Sequence, residues 1–241
     1  MSRPLWICLP TYNERENVER MVRALGAQFE QHSLNGTVLV IDDGSPDGTG
    51  EIADTLADEL PWVRVLHRTQ KEGLGRAYLA GFRVALDGGA ELVMEMDCDF
   101  SHDPADVHRL VGAADDADVV LGSRNIPGGG VRNWPWHRKL ISKGGSLYAR
   151  TILGLPVRDL TGGFKCFHAR VLEALDLEGV AAQGYTFQID LTYRAVNRGF
   201  RVKEVPIIFV DREFGESKMT GSIVVEAVWR VWQLRFGRSG T

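Results

Sequence analysis

Carboxylates gather in three short segments, and each segment follows a strand-like apolar run. The segments are residues 10–14, 42–45 and 97–99. Like charges raise one another's pKa and destabilise a site, so such a grouping needs a bound cation or a ligand rich in hydrogen-bond donors. A divalent metal removes that electrostatic penalty. The three segments therefore predict a metal-assisted binding site.

Asp97 and Asp99 are the carboxylates best suited to a metal. Side chains alternate along an extended strand, so two aspartates separated by one residue project to the same side. Their hard oxygens suit Mg²⁺ or Mn²⁺; Mg²⁺ takes one or two carboxylates and completes its shell with phosphate oxygens and water. Two solvated loop aspartates are the alternative interpretation. A calcium loop is excluded, because His102 replaces the turn glycine and His108 the closing glutamate.

Several other chemistries lack their sequence signals. The chain has no G-x-S-x-G nucleophile elbow, no phosphate loop ending in Gly-Lys, and no G-x-G-x-x-G after its first apolar run. The six histidines are scattered, and we expect His102 and His108 to be surface or hydrogen-bonding groups. Cys8, Cys98 and Cys166 are odd in number and far apart, which excludes a disulfide framework and indicates a reducing compartment.

The net charge of −4 conceals a very uneven distribution. Residues 42–59 hold seven carboxylates and no Lys or Arg, whereas residues 124–150 hold six cations, no carboxylate, Trp134 and Trp136. A net negative chain argues against nucleic-acid binding, and a charge run is usually a solvated face. The tryptophans clustered in the basic stretches make a simple solvated face a less satisfactory interpretation.

Alternating strands and helices must position these residues. Strands are predicted at residues 5–9, 37–41, 63–67, 92–96 and 119–122, and helices at 18–29, 49–60, 74–86 and 104–114. This rhythm predicts an α/β fold with a mostly parallel central sheet and helices on both faces. Ligands bind beyond the carboxyl ends of the strands in such a sheet, where the three polar segments lie.

The pattern changes after residue 124. The predicted elements are a glycine-rich loop at 127–130, a basic helix at 138–153, a loop at 159–163, a helix at 185–197 and a strand at 201–210. Residues 222–236 form an amphipathic pattern, with Trp229 and Trp232, that suits either a membrane surface or packing on the protein itself. Every apolar run is far shorter than the ~18–20 residues of a membrane span, and no cleavable signal is expected, which favours the cytoplasm.

Six motifs, in order over residues 5–218, resemble the inverting glycosyltransferases of family 2. They are LPTYNE at 9–14, IDDGSPDGT at 41–49, MDCDFSH at 96–102, GSR at 122–124, DLTGGF at 159–164 and FVDREFGESK at 209–218. Within that family the chain looks most like the polyprenol-phosphate (dolichol-phosphate) mannose synthases. The last two motifs carry this closer resemblance.

The resemblance implies a GT-A type nucleotide-binding fold. Residues 1–241 would form a single catalytic domain, a size that fits one core. Residues 1–123 would be the nucleotide-sugar-binding half, residues 124–218 the acceptor-binding half, and residues 219–241 an amphipathic C-terminal segment.

The resemblance also implies roles for individual residues. The residues that would hold the nucleoside are Pro10, Tyr12, Glu14, Ile41 and Asp43. The residues that would contact the ribose and diphosphate are Asp97, Cys98 and Asp99, with Asp97 and Asp99 also holding Mg²⁺ or Mn²⁺. The cations that would bind the donor phosphates and share the catalytic role of the two aspartates are Arg124, Arg212 and Lys218. Arg124 and Arg138 would contact the acceptor phosphate.

Some of these residues keep an alternative interpretation. Arg124 could form an ordinary ion pair, and Pro10 could simply end a strand. Cys98 and Ser101 depart from the family pattern: Cys98 stands where alanine is usual, and Ser101 stands where some relatives carry glutamine as a metal ligand. Water would then complete the metal shell.

The implied reaction is transfer of mannose from GDP-mannose to a polyprenyl monophosphate with inversion, giving a β-mannosyl phosphate lipid. Another donor such as UDP-glucose, and a non-catalytic nucleotide-sugar or membrane-surface binding module, are the alternatives. A sugar-nucleotide pyrophosphorylase is disfavoured, because a basic glycine-rich loop after the first strand is missing. The lipid acceptor implies a membrane surface or a membrane-embedded partner, so we expect a peripheral position at the cytoplasmic face of the cell membrane.

Overall fold

A computed structural model of the chain describes residues 2–180, 184–211 and 231–236. The first half alternates strands and helices. Its strands are β1 (Leu5–Thr11), β2 (Gly36–Asp42), β3 (Val63–His67), β4 (Leu92–Glu95) and β5 (Val119–Ser123). Its helices are α1 (Val18–His32), α2 (Thr49–Glu59), α3 (Leu74–Asp87) and, after a 3-10 turn (Pro104–Asp106), α4 (Val107–Ala113). All of these elements lie where the sequence predicts them.

The second half combines the two helices predicted at 138–153 and 185–197 with a short helix and two short strands that the sequence did not predict. Its elements are β6 (Gly130–Arg132), α5 (Trp136–Leu153), β7 (Lys165–His168), α6 (Ala169–Ala174), α7 (Gly184–Asn197), β8 (Val202–Pro206) and β9 (Ile208–Val210). The prediction of one strand at 201–210 is wrong, because the chain leaves the main sheet after Pro206 and β9 pairs with β6 instead. Of the predicted helix at 222–236, residues 222–230 lie outside the described ranges and residues 231–236 are helical.

The main sheet has the order β3-β2-β1-β4-β7-β5-β8. Every pairing in it is parallel except those of β7, which runs antiparallel to both β4 and β5. The fold is therefore α/β with a mostly parallel central sheet, as predicted. The carboxyl ends of the parallel strands lie at one edge, and β7 begins at that same edge.

Helices cover both faces of this sheet, so its strands are apolar on both sides. On α1, the residues predicted to share one face are buried: Val18, Met21, Val22, Leu25 and Phe29. They pack with Ile7, Leu9 and Val38 on one face of the sheet. Tyr78 and Phe82 of α3 pack with Phe187 of α7 on the other face. The two buried clusters fix the positions of the strand ends.

Pro10 lies inside β1 instead of ending it, which corrects the strand-terminator interpretation. Its neighbour on one side, Ile41 of β2, is a register partner. On the other side, the pairing of β1 with β4 stops at Cys8 and Glu95. Successive residues of a strand direct their backbone groups to alternate sides, and the Cys8 carbonyl accepts a hydrogen bond from the N–H of Met96, directly after β4. The backbone of Pro10 faces the same side as that of Cys8, beyond the last residue pair of β1 and β4. The N–H that proline lacks therefore costs the sheet no hydrogen bond.

Helix α5 is amphipathic in an unusual way. Ala149 and Leu153 are buried against the protein, whereas Trp136, Leu140 and Leu147 are exposed by 75%, 65% and 62%. Within the described ranges, no helix has both the length and the apolar character that a membrane span requires. The exposed apolar side chains of α5 thus lie on a helix that cannot cross a bilayer.

Replacing Gly129 by alanine is expected to destabilise the connection between β5 and β6. A Cβ at this position would lie 2.4 Å from the backbone oxygen of Ser123, which cannot move without distorting the end of β5. We expect the free energy of unfolding to fall by about 1–3 kcal/mol, the range for overpacking, in urea titrations. Gly112→Ala in α4 is the control: no atom lies within 4 Å of its Cβ. This control should gain about 0.5–1 kcal/mol from helix propensity. Equal shifts for the two variants would contradict the steric argument.

Candidate active site

Hydrogen bonds join the loops that follow β1 and β2. The backbone N–H of Asn13 donates to Ser45 Oγ at 3.0 Å, and the N–H of Glu14 donates to Thr49 Oγ1 at 3.0 Å. Asn13 has a φ of 59°, a left-handed conformation that asparagine adopts more readily than most residues. The Glu14 carboxylate accepts from Asn17 Nδ2 at 2.8 Å. The two loops therefore form one rigid rim at the strand ends.

Asp42 and Asp43 end β2 in different environments. Asp42 accepts hydrogen bonds from the backbone N–H of Ser45 at 3.1 Å and from its hydroxyl at 2.5 Å. Asp43 forms an ion pair with Arg68 at 2.5 Å. Burial raises the pKa of Asp43 above its ordinary value, Arg68 opposes this rise, and neighbouring Asp42 adds to it. The sequence predicted that clustered carboxylates need a cation, and Arg68 supplies one here.

Tyr12 adds an aromatic face to this rim. Its ring lies 3.8 Å from Lys71 Nζ in a cation–π contact. An aromatic ring at this rim can stack on a nucleobase, and the Asp43 carboxylate can accept hydrogen bonds from the edge of a base. Of the other residues predicted to hold the nucleoside, Pro10 is half-buried near the end of β1. The Ile41 side chain is fully buried in the core, so only its backbone reaches the rim.

The two aspartates of the segment after β4, Asp97 and Asp99, differ in exposure and in their hydrogen-bond partners. Asp97 is 33% exposed, and its Oδ1 accepts a long hydrogen bond of 3.5 Å from the Tyr78 hydroxyl. Asp99 is buried, and its Oδ1 accepts hydrogen bonds from the backbone N–H of Ser101, at 3.1 Å, and from the Ser101 hydroxyl. Cys98 is also buried, and burial raises the pKa of its thiol well above the ordinary range. Ser101 thus orients Asp99.

His102 connects the Asp97 segment to the second half. Its Nδ1 accepts the backbone N–H of Asp97 at 3.1 Å, which puts the proton on Nε2. The ring stacks on Phe164 at 4.9 Å and contacts the edge of Phe209 at 5.4 Å. Burial lowers the pKa of His102 to about 4, although nearby Asp99 opposes the change. The prediction of a hydrogen-bonding histidine is confirmed, but a surface position is wrong.

The donor set at this strand end fits a hydrated divalent cation. Within residues 2–180, 184–211 and 231–236, no group of three or more His, Cys, Asp or Glu side chains could hold a metal ion. Two carboxylates suffice for Mg²⁺ when a diphosphate and water supply the other oxygens. A methyl group on Gly163 would lie 3.9 Å from Asp97 Oδ1 and 3.6 Å from Gln188 Nε2, its closest contact. There is therefore room beside Asp97 for additional atoms.

Arg124, at the end of β5, forms a buried ion pair with Asp159. Its Nε and Nη2 donate to the two carboxylate oxygens at 2.7 and 2.6 Å, and its backbone N–H donates at 2.9 Å. Nη2 also donates to Thr161 Oγ1 at 2.9 Å. Burial alone would raise the pKa of Asp159, but Arg124 outweighs it, so the pKa lies below its ordinary value. The Arg124 guanidinium also lies 5.5 Å from the centroid of the Phe209 ring. His102 contacts the same ring, with the two ring centroids 5.4 Å apart.

The structure thus brings the segments that follow β1, β2 and β4 together with the end of β5 at one edge of the main sheet. Arg212 and Lys218 lie outside the described residues, and so does the side chain of Arg138, whose backbone belongs to α5. Asp159 and Thr161 lie in the motif DLTGGF at 159–164, but no role was predicted for either residue. An aspartate two residues before a threonine in a glycine-containing loop could have suggested a partner for Arg124.

The chain belongs to glycosyl transferase family 2, whose model matches residues 6–176. It is similar to an undecaprenyl-phosphate mannosyltransferase of Micrococcus luteus, with 51% identity over 92% of this chain and 90% of that one. It is also similar to a polyprenol monophosphomannose synthase of Mycolicibacterium smegmatis, with 50% identity over 95% of this chain and 86% of that one.

Solved structures agree with the fold. A glucosyl-3-phosphoglycerate synthase of Mycobacterium tuberculosis, crystallised with Mn²⁺, uridine-diphosphate-glucose and phosphoglyceric acid, superposes with a TM-score of 0.72. The match covers 96% of this chain and 79% of that chain at 19% identity. The likeness supports the GT-A type α/β fold that the sequence resemblance implies.

Asp159→Asn tests the buried pair. The substitution leaves the Arg124 charge buried against a neutral amide, so we expect the free energy of unfolding to fall by about 3 kcal/mol, measured by urea denaturation. Thr161→Val is the control: it removes one hydrogen bond to the same guanidinium and two longer ones, to Asp159 at 3.5 Å and Ser146 at 3.4 Å, but no charge. It should lose about 1 kcal/mol. A loss in Asp159→Asn no larger than that of the control would contradict the importance of the charge.

Proposed function

We propose that this chain transfers mannose from GDP-mannose to a polyprenyl monophosphate with inversion at the anomeric carbon. The main support is the identity of about one half, over nearly the whole length, with an undecaprenyl-phosphate mannosyltransferase and a polyprenol monophosphomannose synthase. The donor GDP-mannose and the inversion come from the family resemblance. The gathered polar strand ends support it independently. In this proposal residues 1–241 form one catalytic domain, with the donor bound by residues 1–123, the acceptor by residues 124–218, and residues 219–241 as an amphipathic segment.

The proposed acceptor needs no strong base. A phosphate monoester has a second pKa of ~6, so it is already an anion at neutral pH and can attack the anomeric carbon directly. An acceptor oxygen forms the new bond to carbon while the bond to the donor diphosphate breaks on the opposite face. The site's main task is to offset repulsion between two anionic phosphates and to stabilise the departing diphosphate.

The strand ends suit this task. Asp97 and Asp99 would hold Mg²⁺ or Mn²⁺, which when bound stabilises negative charge on the diphosphate. The rim of β1 and β2 would hold the guanosine, with Tyr12, Glu14 and Asp43 as its side-chain contacts and Pro10, Ile41 and Cys98 contributing through backbone and shape. The cations proposed for the phosphates are Arg124, Arg138, Arg212 and Lys218. Arg124 already donates to both carboxylate oxygens of Asp159 through Nε and Nη2. It would therefore bind a phosphate only through N–H groups that do not bond to Asp159.

The test of the reaction uses Asp99→Asn, which keeps the size of the side chain and removes its charge. We expect labelled GDP-mannose, a polyprenyl phosphate and Mg²⁺ or Mn²⁺ to give labelled lipid with the natural chain. The variant should be at least about a hundredfold slower, the scale for losing one group that stabilises transition-state charge. Its melting temperature should stay close to that of the natural chain.

Asp115→Asn is the matched control, because this exposed aspartate pairs only with Arg3 at the protein surface in the contacts described. It should keep full activity. A competition series with GDP-mannose, GDP-glucose and UDP-glucose then identifies the donor. Absence of labelled lipid with the natural chain would refute the proposed reaction, and an equal rate for Asp99→Asn would refute the role of Asp99 in it.

A peripheral position at the cytoplasmic face of the membrane is part of this proposal, with α5 as the surface that meets the lipid. Its exposed apolar side chains, Trp136, Leu140 and Leu147, follow one another at spacings of four and seven residues along one side of the helix. Lys139 and Lys143 are exposed beside them, and residues 124–150 contain no carboxylate. Apolar side chains flanked by cations match an anionic bilayer surface.

The surface is tested by flotation with vesicles that contain anionic lipid. The triple variant Trp136→Ser, Leu140→Ser and Leu147→Ser should lose most vesicle binding, because its apolar contacts with the acyl boundary are removed. Leu74→Ser is the control, since Leu74 is an exposed apolar residue on α3 at 42% exposure. Flotation of the triple variant equal to that of the control would exclude α5 as the contact.

A further inference from the structure

A polar cluster lies within the sheet directly beneath the Asp97 segment. Glu95 of β4 and Lys165 of β7 are register partners on adjacent antiparallel strands, and both are completely buried. Lys165 Nζ donates to the backbone oxygen of Gln188 in α7 at 2.7 Å. Opposite charges on central strands are tolerated only because each compensates the other. Lys165 therefore connects three elements: β4, β7 and α7.

The polar atoms of this cluster are incompletely satisfied. Both carboxylate oxygens of Glu95 and both amide atoms of Gln188 are buried without a hydrogen bond of good geometry to any described residue. Burial raises the pKa of Glu95 to about 7, and Lys165 and the nearby Gln188 amide oppose this rise. Burial lowers the pKa of Lys165 to about 8, and Glu95 opposes it. Orphaned groups of this kind are rare in native cores and call for a functional explanation.

Helix α7 is also connected to Asp97, through Phe187 and Tyr78. Phe187, the neighbour of Gln188, stacks on Tyr78 with ring centroids 5.9 Å apart and planes within 1° of parallel. Tyr78 is fully buried, and its hydroxyl donates to Asp97 Oδ1. A shift of α7 would therefore displace the phenol that touches the carboxylate. The hydrogen bond from Lys165 to Gln188 ties this part of α7 to the sheet, in addition to the packing of Phe187 and Ile189 in the core.

We propose that Lys165 is a positioning residue for Asp97, acting through α7 and Tyr78 on the carboxylate that would hold the metal. This inference rests on the metal and nucleotide site of the proposed function, but not on the identity of the sugar or the acceptor. It predicts that Lys165 and Tyr78 act along one path, whereas a residue that only stabilises the fold would act independently of Tyr78.

The test is a double-variant cycle on ligand binding. Calorimetry measures binding of Mn²⁺ with GDP or UDP, whichever the natural chain binds more tightly, to Lys165→Met, Tyr78→Phe and the combined variant. We expect each single variant to bind about five- to tenfold more weakly and the combined variant to be no weaker than Lys165→Met alone. Arg170→Met, which breaks the Asp118–Arg170 ion pair at the other end of β7, is the matched control and should bind normally.

A second variant separates position from stability. Glu95→Gln combined with Lys165→Met removes both charges, so its melting temperature should recover relative to Lys165→Met. Its nucleotide and Mn²⁺ binding should stay weak, because the hydrogen bond to α7 is still missing. The inference is overturned if binding recovers together with stability, if Lys165→Met binds normally, or if the losses in the cycle multiply. Failure of the natural chain to make a mannosyl lipid would refute the proposed reaction and leave this binding cycle unaffected.

Discussion

The ion pair between Arg124 and Asp159 determines how the second half of the chain meets the strand ends. Both charges are buried, and the arginine donates to both oxygens of the carboxylate. Separating them would leave an uncompensated charge inside the protein, a loss of about 3–5 kcal/mol. The loop that contains Asp159 therefore cannot leave the end of β5. Gly163 and Phe164 follow in that loop, so they are held beside Asp97 and His102.

The direction of β7 explains why this loop reaches the site at all. Parallel strands all end at one edge of a sheet, and an antiparallel strand inserted among them must begin there. Because β7 is antiparallel to β4 and β5, residues 159–164 arrive at the edge where Asp97 and Arg124 lie. A parallel strand in the same place would bring its preceding loop to the opposite edge. One antiparallel strand thus brings the loop at 159–164, in the second half of the chain, to the edge where the parallel strands end.

Local periodicity was sufficient to predict most of the first half. The buried face of α1 and the bounds of β3 follow from the spacing of apolar residues alone, because helices and strands bury one face or two in a regular pattern. β7 escaped prediction because it has four residues, one of them lysine, and is held by partners far along the chain. The break at Ile207 escaped for the same reason: whether β9 continues β8 depends on β6, some 80 residues earlier.

The candidate site shows the same division between local and distant information. Asp97 and Asp99 were found because two aspartates separated by one residue follow a predicted strand. The expectation that strand alternation directs both side chains to one side does not apply, because β4 ends at Glu95, before either of them. The partners that orient them, Tyr78 and His102, could not be inferred from spacing, since each reaches Asp97 from a separate packed element or loop. A charge in an otherwise apolar strand is nevertheless a visible signal. Glu95 carries such a signal in β4, but no buried cation was inferred from it, and the position of Lys165 was not predicted.

The run of cations at 124–150 carries a related lesson about charge. In the sequence it reads as one basic region suited to phosphates. In the folded chain Arg124 is buried against Asp159, while Lys139 and Lys143 are exposed on α5 beside large apolar side chains. Burial of a cation beside a carboxylate serves position, and exposure beside tryptophan and leucine would serve the membrane contact of the proposed function. Cations of one run thus occupy two different environments, and only their three-dimensional partners separate them.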